Sequence, residues 1–387
     1  MRVTQKSRRL RALIGATTAT VAALPVFFGA GVASANAPVG TDAAKVEASA
    51  KPNGGTRLVS ATPGSASNKM RLTVHSESMN RDIPLEVIRP KNTSVPAPTL
   101  YLLNGAGGGE DSASWQKQAD IGTFFEGKQV NVVTPMQGAF TYYTDWQNAD
   151  EALHGVNKWE TFLTKELPPV IDSALGTTGV NTLAGISTSG TSVFNLALKD
   201  PKLYKAVGAY SGCADTATPV GQTYIQIVIA ARGSAEVENM WGPVGGPDWI
   251  AHDPILNINR LKDGPRLYVS NASGLPGPHD TLDSQGINGN VPTLANQIIV
   301  GGIIEAATNE CTHRLFDAVN RAGMGNQAFF DFKPAGTHSW GYWRDDLRNS
   351  WPMLADAMNT PGSSSAIRHT TFLEGRPDRG RGALPVW

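Results

Sequence analysis

Ser187 stands between small residues in Gly185-Ile186-Ser187-Thr188-Ser189, a spacing suited to nucleophilic catalysis by a hydroxyl. Such a serine must be pushed out of the backbone on a sharp turn. It also needs a base, and donors for the oxyanion that forms when it attacks a carbonyl. Thr182–Ala184 ahead of it reads as a strand and Gly190–Leu198 behind it as a helix, the flanks this turn requires. Small residues at 185 and 189 leave room for the turn, with Ser189 where a second glycine is usual. The N-terminus of the following helix adds a field that favours developing negative charge.

A second donor for the oxyanion is expected in the loop Asn104-Gly105-Ala106-Gly107-Gly108-Gly109-Glu110, which follows the apolar run Tyr101-Leu102-Leu103. Its glycines let backbone N–H groups face the nucleophile. A phosphate cradle is a poorer reading, because no Lys-Ser/Thr follows and Glu110 and Asp111 would repel the anion. Five histidines lie beyond Ser187: His252, His279, His313, His338 and His369. His338, after the last predicted strand, has the position that the chain order Ser…acid…His gives to the base, and His279 beside Asp280 is next. Residue order alone leaves the acid open among Asp280, Asp283 and Glu305.

The elements that would position these groups alternate. Strands are predicted at Thr99–Leu103, Val130–Pro135, Thr182–Ala184, Ala206–Tyr210, Arg266–Ser270 and Ala328–Lys333, mostly continuous apolar runs of the kind buried on both faces. Helices are predicted at Lys158–Leu175, kinked at Pro168 and Pro169, at Gly190–Leu198, and around Gln297–Ala322. The alternation implies an α/β protein with a mostly parallel central sheet flanked by helices, entered through an antiparallel hairpin between Met70 and Arg89.

The ends read differently. A basic stretch (Arg2, Lys6, Arg8, Arg9, Arg11) precedes an apolar run and the small-residue pattern Ala33-Ser34-Ala35, so residues 1–35 read as a signal peptide for export, cut after Ala35 or Ala37. Either Sec or twin-arginine export fits. Residues 36–67 read as a flexible leader, 68–359 as one catalytic domain, and 360–387 as a disordered tail. Removing the five basic residues of the signal leaves 28 basic against 33 acidic ones, which argues against nucleic acid as a partner. No Cys or His lies at metal-ligand spacing, and no cofactor motif occurs. In an oxidising space Cys213 and Cys311 are expected to pair, closing a loop of about 98 residues worth roughly 4–5 kcal/mol in the chain-entropy model.

From about Met79 to Trp343 the chain resembles the antigen 85 complex and the corynebacterial mycolyltransferases, esterase-like α/β-hydrolases. Tyr101-Leu102-Leu103-Asn104-Gly105 resembles the family's Tyr-Leu-Leu-Asp-Gly, with Trp115 at the family's spacing beyond it. Tyr143–Trp146, Lys158–Leu163 and Met240–Pro243 match further segments. Thr337-His338-Ser339-Trp340-Gly341-Tyr342-Trp343 resembles Thr-His-Ser-Trp-Glu-Tyr-Trp.

The resemblance implies Ser187 as nucleophile, His338 as base, Glu305 as acid, and the amides of Ala106 and Thr188 as the oxyanion hole. It places substrate contacts at Asn104, Gly107, Asp215, Arg314, Ser339 and Trp340, and leaves Trp115, Trp146, Trp340 and Trp343 as candidates for the groove. It implies a cell-envelope enzyme at a glycolipid surface that moves a mycoloyl group from trehalose monomycolate to trehalose monomycolate, arabinogalactan or a protein serine. Asn104 and Gly107 replace the Asp and Arg that hold sugar in the trehalose-specific members, so restoring both is expected to raise trehalose use. A secreted carboxylesterase and a non-catalytic binding protein of the same fold are the competing classes.

Overall fold

The computed structural model describes residues 43–359. The predicted signal peptide and tail lie outside the described residues. Nine strands form one sheet: β1 (Arg57–Pro63), β2 (Lys69–Ser76), β3 (Arg81–Ile88), β4 (Thr99–Leu103), β5 (Asn131–Pro135), β6 (Asn181–Ile186), β7 (Tyr204–Tyr210), β8 (Arg266–Ala272) and β9 (Ala328–Lys333), in the order β1-β2-β3-β5-β4-β6-β7-β8-β9. The first three pair antiparallel, as does β3 with β5, and the remainder is parallel. This is the α/β-hydrolase architecture.

Every residue of β4, β5 and β6 is buried, which explains their unbroken apolar sequences. Alternate side chains enter two cores. Tyr101, Leu103, Val133, Leu183 and Val207 pack on one face against α2 (Leu167–Leu175), α3 (Thr188–Lys199) and α4 (Gly302–Arg321). Leu100, Leu102, Val132, Ala184 and Tyr210 pack on the other against Phe125 and α5 (Trp340–Ala357), through Trp343, Leu347 and Leu354.

Two expectations are corrected. Residues 43–63 are not a loose leader: α1 (Ala43–Ser49) buries Val46, the Glu47 carboxylate accepts from the Ala61 amide at 2.8 Å, and β1 extends the sheet beyond the hairpin. Only Ala61 of β1 is buried, so the segment has no apolar periodicity to read. The helix expected over Lys158–Leu175 is interrupted by a π turn at Phe162–Glu166 immediately before the prolines of α2. Proline lacks the N–H that would reach the carbonyl four residues back. Asn53 Nδ2 supplies the donor that Pro169 lacks, reaching Lys165 O at 2.8 Å, and it also reaches Glu166 O at 3.3 Å.

Candidate active site

Ser187 sits between the end of β6 and the start of α3, with φ 55° and ψ −121°, a strained conformation for a residue bearing a side chain. The turn is held by the end of β7 and by its own Ser189 side chain. The Ser187 amide donates to Tyr210 O at 2.9 Å, and Ser189 Oγ accepts from the Ile186 amide at 2.9 Å. Ser189 thus contributes a hydrogen bond where the usual glycine could not. Gly185 does require its lack of a side chain, since a Cβ there would lie 2.6 Å from Ser189 Oγ and 2.7 Å from Ser189 O.

His338 stands in the loop between β9 and α5, and its amide donates to Gly301 O at 3.1 Å. Nε2 lies 2.8 Å from Ser187 Oγ, and Nδ1 lies 2.8 Å from Glu305 Oε2. Glu305, on the first turn of α4, is fully buried. Its Oε1 accepts from Ser211 Oγ at 2.9 Å and from the Ala272 amide at 2.7 Å. Trp343 closes the group: its indole N–H donates to Ser211 Oγ at 3.0 Å while its ring stands edge-on to His338 at 4.9 Å. A carboxylate satisfied in this way accepts a hydrogen bond from Nδ1–H, which leaves Nε2 as the acceptor toward the Ser187 hydroxyl.

The rival acids are occupied elsewhere. Asp280 accepts from Tyr342 OH, Gln297 Nε2, Thr337 Oγ1 and the Gly277 amide; burial pushes its pKa up, but these bonds outweigh it and hold it below the usual carboxylate value. Asp283 bonds Thr281 at the surface. Among the other histidines, His252 pairs with Glu160, His279 with Asp345, and His313 with Asn309 O; His369 lies outside the described residues.

Ser187 opens into a cleft of about 830 Å³ whose lining includes Ala106, Gly107, His338, Ser339, Trp340 and Trp343. The loop after β4 runs beside the serine, such that a Cβ on Gly105 would lie 3.5 Å from Ser187 Cβ. Among the described residues neither the Ala106 nor the Thr188 amide meets an acceptor.

The structure places three expected substrate contacts, Asn104, Asp215 and Arg314, away from the cleft. Asn104 is fully buried and does not face the cleft; its Oδ1 accepts from the Trp115 amide at 3.0 Å and its Nδ2 donates to Pro135 O at 3.3 Å. Gly107 does line the cleft, and a Cβ there would first meet the exposed Asp111 carboxylate, so a side chain at this position requires that carboxylate to swing aside. Asp215 and Arg314 form an ion pair with each other, in a separate depression of about 340 Å³ shared with Asp253 and Asp317. The Cys213–Cys311 disulfide brings them together, each partner lying two or three residues beyond a half-cystine. Trp115 and Trp146 are core residues with their indole N–H groups on Leu103 O and Thr141 O, so Trp340 and Trp343 are the tryptophans of the cleft. Ser211 escaped sequence reasoning because a serine two residues before a cysteine has no signature of its own.

Residues 76–354 match the esterase family model. The chain is 31% identical over 301 residues to the diacylglycerol acyltransferase/mycolyltransferase Ag85A of Mycobacterium tuberculosis, spanning 76% of this chain and 83% of that one. It is 32% identical over 298 residues to Ag85B of Mycobacterium intracellulare, spanning 76% and 84%. In fold it is similar to MPT51 of Mycobacterium tuberculosis, with a TM-score of 0.60 and 24% identity over 73% of this chain and 96% of that one. An S-formylglutathione hydrolase from Agrobacterium tumefaciens shares the fold at a TM-score of 0.54 and 14% identity, over 78% and 99%.

Proposed function

The chain belongs to the antigen 85 family of esterase-type, acyl-transferring enzymes, and from that premise we propose that it is an exported serine mycolyltransferase of the cell envelope. The observation that carries the reading is the unbroken series of hydrogen bonds from Ser187 Oγ through His338 to buried Glu305, at the wall of an open cleft.

Ser187 Oγ attacks the ester carbonyl of the donor as His338 Nε2 takes its proton, and Glu305 steadies the imidazolium. The Ala106 and Thr188 amides receive the oxyanion. His338 then protonates the departing sugar oxygen, leaving a mycoloyl ester on Ser187. An acceptor hydroxyl repeats the sequence in reverse order. The donor is a mycolate glycolipid such as trehalose monomycolate; the acceptor is trehalose monomycolate, arabinogalactan or a protein serine. The signal-like segment at residues 1–35 supports export to that surface.

A fluorophosphonate probe should label Ser187, and Ser187→Ala should lose labelling and about three or more orders of magnitude in turnover. Acyl transfer unchanged in that variant would sink the assignment. With trehalose monomycolate as substrate the protein should produce dimycolate. Free mycolic acid as the sole product would make it a carboxylesterase instead, and an unlabelled serine would leave only a binding role.

A further inference from the structure

His279 lies on the wall of the Ser187 cleft and takes no part in the series of bonds from Ser187 to Glu305. Its Nε2 stands 2.6 Å from Asp345 Oδ2. A carboxylate can only accept, so Nε2 carries a proton toward Asp345 and Nδ1 is the ring nitrogen left to meet a further partner, as an acceptor whenever the ring is neutral. Among the described residues Nδ1 has no partner.

The ring is held in place from several directions. It stands edge-on to Tyr342 at 4.9 Å. Gln297 Nε2 donates to both His279 O (3.0 Å) and Asp280 Oδ1 (2.7 Å), and Thr337 Oγ1 donates to the same Asp280 oxygen at 2.7 Å. His279 is therefore tied, through Asp280, to the residue that precedes His338. Gly341 makes the arrangement possible, because a Cβ at that position would collide with the His279 ring.

The cleft also has two chemical characters. Gln285, Thr293, Asn296 and Gln297 accompany His279, whereas Ile227, Val300, Ile304 and Trp340 supply apolar surface. The apolar surface suits an acyl chain. With Asn104 buried, the polar group joins Asp111, Gln118, Arg232, Ser339 and Arg344 as the lining that can meet hydroxyls.

We propose that His279, oriented by Asp345, is the recognition residue of an acceptor subsite that takes a hydroxyl of a neutral polyol. The inference rests on the Ser187 acyl-enzyme reading. In the second half-reaction one acceptor oxygen forms the new ester bond and the bond to Ser187 Oγ breaks. The proton of that hydroxyl passes through His338 to Ser187 Oγ. A neighbouring hydroxyl of the same polyol donates to His279 Nδ1. Holding the polyol in this way raises its local concentration over that of water, the competing nucleophile.

The test uses the full chain, p-nitrophenyl butyrate as donor, and trehalose or glycerol as acceptor. It reads the p-nitrophenol burst and the ratio of transferred to hydrolysed acyl groups. Because the ratio is taken within each variant, any loss of acylation cancels. His279→Ala should lower the ratio about tenfold, the worth of one lost hydrogen bond to a bound hydroxyl. Gly341→Ala, which displaces the ring without removing it, should shift the ratio in the same direction, and His279→Gln, which retains an acceptor, should recover part of it. An unchanged ratio in His279→Ala with an intact burst overturns the subsite alone. Free acid as the only product from both acceptors in the unsubstituted protein also overturns it. p-Nitrophenol release that continues undiminished in Ser187→Ala overturns the Ser187 reading itself.

Discussion

At Glu305 the two carboxylate oxygens divide their work, Oε2 toward His338 and Oε1 toward Ser211 and the Ala272 amide. Ser211→Ala removes one of the two donors to Oε1 and leaves the buried Trp343 indole N–H without its acceptor. It should lower stability by about 1–3 kcal/mol in urea unfolding, and reduce turnover through a less fixed Glu305. Wild-type stability and turnover in that variant would remove Ser211 from the site. Asn104 shows what depth changes. The resemblance by itself makes Asn104→Asp a step toward sugar binding, yet the carboxylate would lose the Nδ2 donor and face Pro135 O inside the protein. Asn104→Asp should therefore cost about 1–3 kcal/mol of stability by thermal or urea unfolding without improving acceptor use. A gain in trehalose transfer from this single change would contradict the placement. Ser187 and His338 were legible because each sits in a local pattern. Glu305 was not singled out by residue order, since a carboxylate within a long helix looks like any solvated one until the helix is packed.

Among the elements, α4 matters most to the site, because its first turn carries Glu305 and its third carries Cys311. The disulfide joins it to the loop after β7, whose first residues include Ser211. Replacing both cysteines with alanine should destabilise the fold by at most about 4–5 kcal/mol. If the bridge also holds the acid in place, turnover should fall at temperatures where the variant remains folded. Full turnover there, with only the melting temperature lowered, would make the bridge a plain staple. The inner parallel strands β4, β6, β7 and β8 were readable from their apolar runs, since both faces are covered, whereas edge strand β9 is only partly buried. The π turn before Pro168 was not, and the donor that meets the carbonyls at its end comes from Asn53, more than a hundred residues earlier in the chain.

Over the whole molecule, the sheet extends one strand further than the hairpin predicts. Removing residues 43–63 would strip α1 and β1 and expose the edge of β2 as an unpaired ladder. Such a truncation should unfold at a lower temperature and self-associate, which calorimetry and light scattering would reveal. Behaviour identical to the full chain would restore the leader reading. By itself the sequence determined the α/β class, the strand–turn–helix around Ser187, the base at His338 and the family, because each is written in short-range spacing or a contiguous motif. Residue order left the acid open, the resemblance pointed to Glu305, and the fold brings Glu305 to His338. Tertiary structure alone decided that Asn104 is a core brace, that Asp215 and Arg314 pair away from the cleft, and that His279 lines it. Those outcomes depend on burial and on partners far apart in the chain, and neither leaves a local pattern to read.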